Sequence, residues 1–187
     1  MKKIIILKQA HTVVAVCLST VLLSACGTNA VKQEPVSETE SCTRLQGLIN
    51  DHPNQFNNYK KSLTTTKKLN VWTADSVLPS AKQCQVWEWS SGLHSYACEW
   101  QVEKGESQAI ANYEEAAKVI QNCLGNAWTA ETNTTQSGGK RTVYSNPSLP
   151  TIVSIRYFED TAGWKALHSW NNTLIIGDRS NLNTPLQ

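Results

Sequence analysis

An apolar run near the start of the chain limits how much of the sequence can fold. The run covers residues 12–23, and Lys2, Lys3 and Lys8 precede it. A membrane-spanning helix needs about 20 apolar residues, whereas the core of a signal peptide needs roughly 7–15. We therefore expect residues 1–25 to be a signal peptide that is removed.

Small residues and a cysteine follow this run, in the order Leu23-Ser24-Ala25-Cys26-Gly27. This segment resembles the lipobox of bacterial lipoproteins, in which a dedicated signal peptidase cuts before the cysteine. The resemblance covers the first 27 residues and implies a diacylglyceryl thioether on Cys26 with acylation of the new amino terminus. Two or three acyl chains hold a protein on a membrane far more firmly than one. The alternative is an ordinary secretory signal that happens to contain a cysteine.

The resemblance also implies a destination. Gly27 rather than Asp after the cysteine favours, by analogy with the family, transport to the outer membrane. Residues 27–41 are polar and bury too little surface to fold alone. We therefore expect a lipidated cysteine and flexible tether over 26–41, and a single domain over 42–187 that faces the periplasm.

The composition argues against a nucleic-acid partner. The chain has 17 basic residues, three of them in the expected signal peptide, against 15 acidic residues. The mature protein would therefore carry 14 basic and 15 acidic groups, a net charge of −1. Binding to nucleic acid normally requires a concentrated basic surface.

Four cysteines remain in the expected domain, namely Cys42, Cys84, Cys98 and Cys123. An even number of cysteines in an exported protein favours disulfides. No Cys-x-x-Cys pair and no histidine at ligand spacing accompany them, so we expect neither a metal nor a cofactor. We slightly prefer Cys84–Cys98 with Cys42–Cys123 over the other two pairings.

Apolar spacing predicts two helical regions. Residues 44–63 read as one kinked helix or two short helices interrupted at Pro53, and 64–79 read mostly as loop. Residues 107–124 have the strongest helical pattern, with Ser107 as the expected N-cap and Gly125 as the terminator.

A β-hairpin is predicted over residues 82–102, with a three-residue loop at Ser90-Ser91-Gly92. Cross-strand partners then have residue numbers that sum to 182, so Cys84 faces Cys98. Trp87 and Trp89 point to the opposite face of the same strand. A two-residue loop would shift this register and separate the two cysteines.

The later part of the chain predicts further strands. After an expected loop at 131–139, residues 141–144 and 151–158 form a second pair, and 173–176 form a final strand. The resulting order is α-β-β-α-β-β-β, with a weak sign of internal duplication. This order favours an α+β fold with a mainly antiparallel sheet and helices packed on one face.

No nucleophile elbow, metalloprotease motif or phosphate-binding loop occurs in the chain. Of the histidines in the domain, we expect His52 at a surface turn and treat His94 and His168 as structural. The weak candidates for catalysis are Glu88 and His94, which face each other across the predicted hairpin. Their alternative interpretation is an ion pair exposed to solvent.

Seven tryptophans are many for a domain of this size. They can fill the core, form a protein interface or stack on sugar rings. Trp87 and Trp89 are the first candidates for an exposed patch. We therefore expect an outer-membrane-anchored periplasmic lipoprotein that binds an envelope protein without catalysis, in assembly, secretion or toxin inhibition. The alternative is a peptidoglycan binder or hydrolase that uses Glu88, His94 and the two tryptophans.

Overall fold

The computed structural model describes residues 37–65, 69–78, 81, 83–102, 105–135, 138–161 and 169–180. Two helices lie in these ranges, α1 at Glu38–Asp51 and α2 at Glu106–Leu124. Four strands follow α1, namely β1 (Leu63–Thr65), β2 (Leu69–Ala74), β3 (Gln83–Trp89) and β4 (His94–Val102). Four more follow α2, namely β5 (Thr129–Thr134), β6 (Lys140–Ser145), β7 (Thr151–Asp160) and β8 (Ser169–Asp178).

All eight strands form one antiparallel sheet in the order β1-β2-β3-β4-β8-β7-β6-β5. Each half of the chain therefore contributes a helix and four consecutive strands. The last strands of the two halves, β4 and β8, pair at the centre, and the first strands, β1 and β5, lie at the edges. The expected mainly antiparallel sheet is confirmed, and this equivalence of the halves agrees with the predicted duplication.

The expected element order contains too few strands. The loop predicted over 64–79 contains β2 and most of β1, and the loop predicted over 131–139 overlaps β5. Both edge strands, β1 and β5, consist of exposed residues. Exposed strands show no apolar alternation, because neither of their faces is covered by a core. The correct order in the described residues is one helix and four strands, repeated once.

Helix α1 begins four residues before the expected domain boundary. Ser37 caps it by accepting a hydrogen bond from the Glu40 amide at 3.2 Å. The buried residues Leu45, Leu48 and Ile49 lie on one side of the helix. A 3-10 turn at His52–Asn54 follows, with Pro53 near its start, so the predicted interruption at Pro53 is confirmed. The prediction that helical structure continues to residue 63 is wrong, because turns follow and β1 begins at Leu63.

Helix α2 ends at Leu124, and Gly125, the predicted terminator, is its C-cap with a φ of 70°. Its N-cap is Gly105 and not Ser107, so the predicted start was wrong by one residue and the predicted cap by two. The Gly105 cap makes no side-chain hydrogen bond to the helix. A cap without a side chain leaves no signature in a sequence, whereas serine is a common capping residue.

The predicted hairpin has the predicted register. Cys84 lies opposite Cys98, and Glu88 lies opposite His94. Gly92 adopts φ of 82° in the three-residue loop. Disulfides join Cys84 to Cys98 and Cys42 to Cys123, which is the pairing that the sequence favours. The Cys42–Cys123 disulfide links the start of α1 to the end of α2, so it joins the two halves of the domain covalently.

The described hydrogen bonds between α2 and the sheet involve one set of alternating strand residues. Asn172 donates to the Ala109 carbonyl, Tyr144 donates to the Ala117 carbonyl, and Thr142 bonds the Tyr113 hydroxyl. We call this side of the sheet the helix face. It also carries these buried core residues: Cys84, Val86, Tyr96, Cys98, Val153, Ile155, Leu174 and Ile176.

The intervening residues of the same strands point to the other side, which we call the arginine face. Its central positions include Glu99, Thr173, Arg156 and Arg141, which are neighbours in register. Among the described residues, no helix is long and apolar enough to cross a membrane.

Candidate functional site

The two predicted patch tryptophans lie together at one side of the arginine face. The rings of Trp87 and Trp89 meet edge to face, with centroids 5.8 Å apart. Both side chains are half-buried. Trp87 Nε1 donates to Gln85 Oε1 at 2.8 Å, so its polar tip is already hydrogen-bonded. The register partners of the pair on β2 are Val71 and Leu69, which extend the apolar surface towards the sheet edge.

The predicted acid/base pair lies on the other side of β3. His94 Nε2 is 3.4 Å from Glu88 Oε1, and His94 Nδ1 is 3.0 Å from the Gly92 carbonyl oxygen. The His94 side chain is 6% exposed, whereas that of Glu88 is 32% exposed. The pair therefore lies at the border of the core. Because Glu88 alternates with Trp87 and Trp89, its side chain points to the helix face.

A second buried histidine was misplaced by the sequence reasoning. His52 was expected at a surface turn, but it is 7% exposed. Its Nδ1 is 2.7 Å from Thr151 Oγ1, and its Nε2 is 3.4 Å from Asp178 Oδ2. A hydroxyl, an imidazole and a carboxylate in this order can activate a nucleophile. Thr151 is only 1% exposed, however, so the arrangement joins the turn after α1 to β7 and β8 without access for a substrate.

The row of charged residues on the arginine face was not singled out from the sequence. Glu99 on β4, Thr173 on β8, Arg156 on β7 and Arg141 on β6 occupy successive register positions across four adjacent strands. The signal that could have found it is an arginine in an otherwise apolar strand, at Arg156, which alternates with the core residues Val153, Ile155 and Tyr157. The neighbours on other strands could not be assigned before the pairing of β4 with β8 was known.

Burial shapes the electrostatics of this row. Desolvation and, to a smaller extent, the neighbouring Arg141 lower the pKa of the Arg156 guanidinium to about 10, while Glu99 opposes this change. Desolvation also lowers the pKa of Arg141 and raises the pKa of Glu99. The guanidinium carbon of Arg156 lies 4.3 Å from the centroid of the Phe158 ring. With a pKa of about 10, Arg156 remains cationic at neutral pH.

A surface cavity of about 460 Å³ lies beside the β6–β7 turn. Pro147, Leu149 and Ile152 supply apolar walls, and Arg179 supplies a positive charge. Leu149 is one of the exposed large apolar residues of the described chain. Within the ranges the structure covers, no cluster of His, Cys, Asp and Glu is arranged to hold a metal ion.

The predicted lipidation site Cys26 and the histidine His168 lie outside the described residues. No family model, curated protein or solved structure matches this chain. The functional argument therefore depends on the geometry of its own residues.

Proposed function

We propose that the protein is a lipoprotein anchored to the outer membrane through Cys26, and that its disulfide-bonded α+β domain binds another envelope protein without catalysis. The proposed binding surface is the side of the arginine face around Trp87 and Trp89, where the side chains are half-buried, because Ser95, Ala97 and Ser154 at the centre of that face are buried. Because α1 begins at Glu38, the proposed tether is shortened to residues 27–36, and it keeps the domain near the membrane. Assembly, secretion or toxin inhibition would each use such a module.

One observation carries the choice of binding over catalysis. The aromatic pair Trp87 and Trp89 and the acid/base pair Glu88 and His94 occupy opposite faces of β3 and β4. A sugar ring stacked on the tryptophans would therefore be separated from the carboxylate by the sheet itself. The glycan-directed alternative needs all four groups in one site, which this alternation opposes.

The half-buried side of the arginine face supports a protein partner. Trp87, Trp89, Leu69 and Val71 lie there on two paired strands, and all four remain partly exposed. Tryptophan and arginine, which this face carries, are the residues most enriched at the energetic centres of interfaces.

Position-specific crosslinking in intact cells tests the binding surface. A photoreactive phenylalanine replaces Thr73, an exposed residue on the arginine face beside Gln85, or Glu114 on the exposed side of α2. We expect a discrete adduct from position 73 and none from position 114. The double substitution Trp87→Ala and Trp89→Ala should remove the adduct while leaving most of the thermal stability. An adduct that forms only from position 114 would contradict the proposal.

Catalysis and anchoring have separate tests. Release of muropeptides from purified peptidoglycan by the wild-type protein, abolished by Glu88→Gln, would establish the hydrolase alternative instead. Incorporation of labelled fatty acid should be lost in Cys26→Ser, together with fractionation into the outer membrane. An unlabelled parent that fractionates like Cys26→Ser would refute the anchor.

A further inference from the structure

The two edges of the sheet differ in their protection against pairing with a further strand. Within the described ranges, β1 and β5 end the sheet, and neither has a strand on its outer side. Strand β1 has three residues, and lysine pairs flank it in the sequence at 60–61 and 67–68. Strand β5 has six residues, all exposed, with Glu131 as its only charged residue. Shortness and lysines commonly protect a sheet edge, so β5 is the less protected of the two.

The outer side of β5 presents a regular set of backbone groups. The pairing of β5 with β6 has no bulge, and opposed residue numbers sum to 274. The Thr135 N–H donates to the Gly139 carbonyl at 2.8 Å, which continues this register. Hydrogen-bonded pairs alternate along an antiparallel ladder, so the odd-numbered residues of β5 direct their amides and carbonyls to β6. The residues that direct theirs outward are Ala130, Thr132 and Thr134.

These three residues are complementary to a second copy of the same strand. When two copies of β5 pair antiparallel about a two-fold axis, the numbers of opposed residues have a constant sum. A sum of 264 is the only one that pairs all three outward residues with one another, because Thr132 then opposes its equivalent and Ala130 opposes Thr134. Each of these pairs exchanges two hydrogen bonds. The register with a sum of 264 therefore satisfies every outward amide and carbonyl of these residues.

The intervening side chains favour the same register. Glu131 then opposes Asn133 of the second copy, so a carboxylate meets an amide on both sides of the axis. These two groups are already compatible within one chain, where Asn133 Nδ2 donates to Glu131 Oε1 at 3.0 Å. A sum of 262 would instead place Glu131 opposite its own equivalent, and like charges in opposed positions destabilise a sheet. Charge complementarity therefore distinguishes the two registers.

We propose that β5 is the interface of a homodimer, in which two eight-stranded sheets join edge to edge with Thr132 on the two-fold axis. A two-fold interface of this kind is closed, because each copy uses the same strand. Trp87 and Trp89 lie towards the opposite end of the sheet order and remain free in the dimer. The inference goes beyond the proposed partner binding and does not depend on it.

Disulfide crosslinking of engineered cysteines reads the register. The variants Glu131→Cys and Asn133→Cys of the full chain, purified in uncharged detergent, are oxidised separately and as a mixture. Opposed residues of a pair without hydrogen bonds have Cα atoms about 4.5 Å apart, which suits a disulfide. We expect the mixture to form at least ten times more covalent dimer than either variant alone. The matched control is Thr64→Cys, in the middle of the other edge strand, which should remain monomeric.

Each other crosslinking outcome contradicts a stated part of the proposal. A dimer from Glu131→Cys alone would overturn the register, and equal crosslinking of Thr64→Cys would overturn the choice of edge. No excess of dimer in the mixture would refute the interface.

Sedimentation equilibrium tests the same interface without crosslinks. Thr132→Pro removes an outward N–H and no hydrogen bond to β6, which is where an edge strand tolerates proline. Its matched control, Thr132→Val, keeps the N–H and loses only the hydroxyl that bonds Thr142 Oγ1. We expect the wild type and Thr132→Val to dimerise, and the dissociation constant of Thr132→Pro to rise at least tenfold. A monomeric wild type, or equal dimerisation of a folded Thr132→Pro, would refute the proposal. The crosslinks test the interface independently of the folding of this variant.

Discussion

Removal of the Cys42–Cys123 disulfide provides a quantitative test of what holds the two halves of the domain together. The bonded residues are 81 positions apart, compared with 14 for Cys84–Cys98. In the chain-entropy model, each disulfide stabilises the folded state because it lowers the entropy of the unfolded chain. The contribution is about 4.5 kcal/mol for Cys42–Cys123 and about 3 kcal/mol for Cys84–Cys98. The free energy of unfolding of a whole domain is about 5–15 kcal/mol, so the contribution of Cys42–Cys123 is a large fraction of it.

The perturbation is the pair of substitutions Cys42→Ala and Cys123→Ala. We expect the free energy of unfolding to fall by about 4.5 kcal/mol. The melting temperature should fall by roughly 9–18 °C, from about 2–4 °C per kcal/mol for a chain of this size. Equilibrium unfolding in urea, followed by tryptophan fluorescence, measures the free energy and the m-value together.

The m-value identifies the mechanism. A long cross-link keeps the unfolded chain compact, so its removal should raise the m-value more than removal of the short hairpin bond by Cys84→Ala and Cys98→Ala. Cys84 and Cys98 are buried, at 6% and 0% exposure. Their replacement by alanine therefore also removes packing contacts in the folded state. A loss below about 1.5 kcal/mol for the long bond, with an unchanged m-value, would refute the chain-entropy reasoning.

Three further perturbations have expected outcomes. Gly139→Ala should lower stability by about 2–3 kcal/mol in thermal unfolding, because its Cβ would lie 1.8 Å from the Tyr157 carbonyl oxygen; an unchanged melting temperature would contradict this. Thr151→Val should cost about 1–2 kcal/mol in urea unfolding, since it leaves the buried His52 Nδ1 without its partner; a neutral effect would show that the contact is dispensable. Burial raises the pKa of Tyr144 to about 12, so the folded chain keeps a proton that the unfolded phenol loses from about pH 10. Stability should therefore fall between about pH 10 and pH 12, and Tyr144→Phe should reduce that fall; an identical pH profile would refute the assignment.

Local patterns with a buried side were predictable. The hairpin register followed from a three-residue loop ending at Gly92 and placed Cys84 opposite Cys98. Helix α2 was predicted to within one residue because one side of it is buried along its whole length. In each case a single covered face imposes a period that can be counted in the sequence.

Long-range features were not predictable in the same way. The edge strands β1 and β5 are exposed and have no periodic pattern. The contact of Glu99 with Thr173 across the sheet depends on the pairing of β4 with β8, and these two residues are 74 positions apart in the chain. The burial of His52 depends on Thr151, which lies 99 positions later. Contacts of this kind are decided by the whole sheet and leave no local signature.

The central pairing of β4 with β8 also determines when the domain can form. Strand β8 is the last of the sheet in chain order, yet it lies between β4 and β7. Until residues 169–178 are available, β4 has one unpaired side and the two halves share no strand contact at the middle. Strand pairings between residues this distant in sequence form slowly, and they leave aggregation-prone strand edges unpaired during synthesis. The polypeptide should therefore stay unfolded until nearly all of it has been synthesised, which would suit the export in extended form that we propose for it.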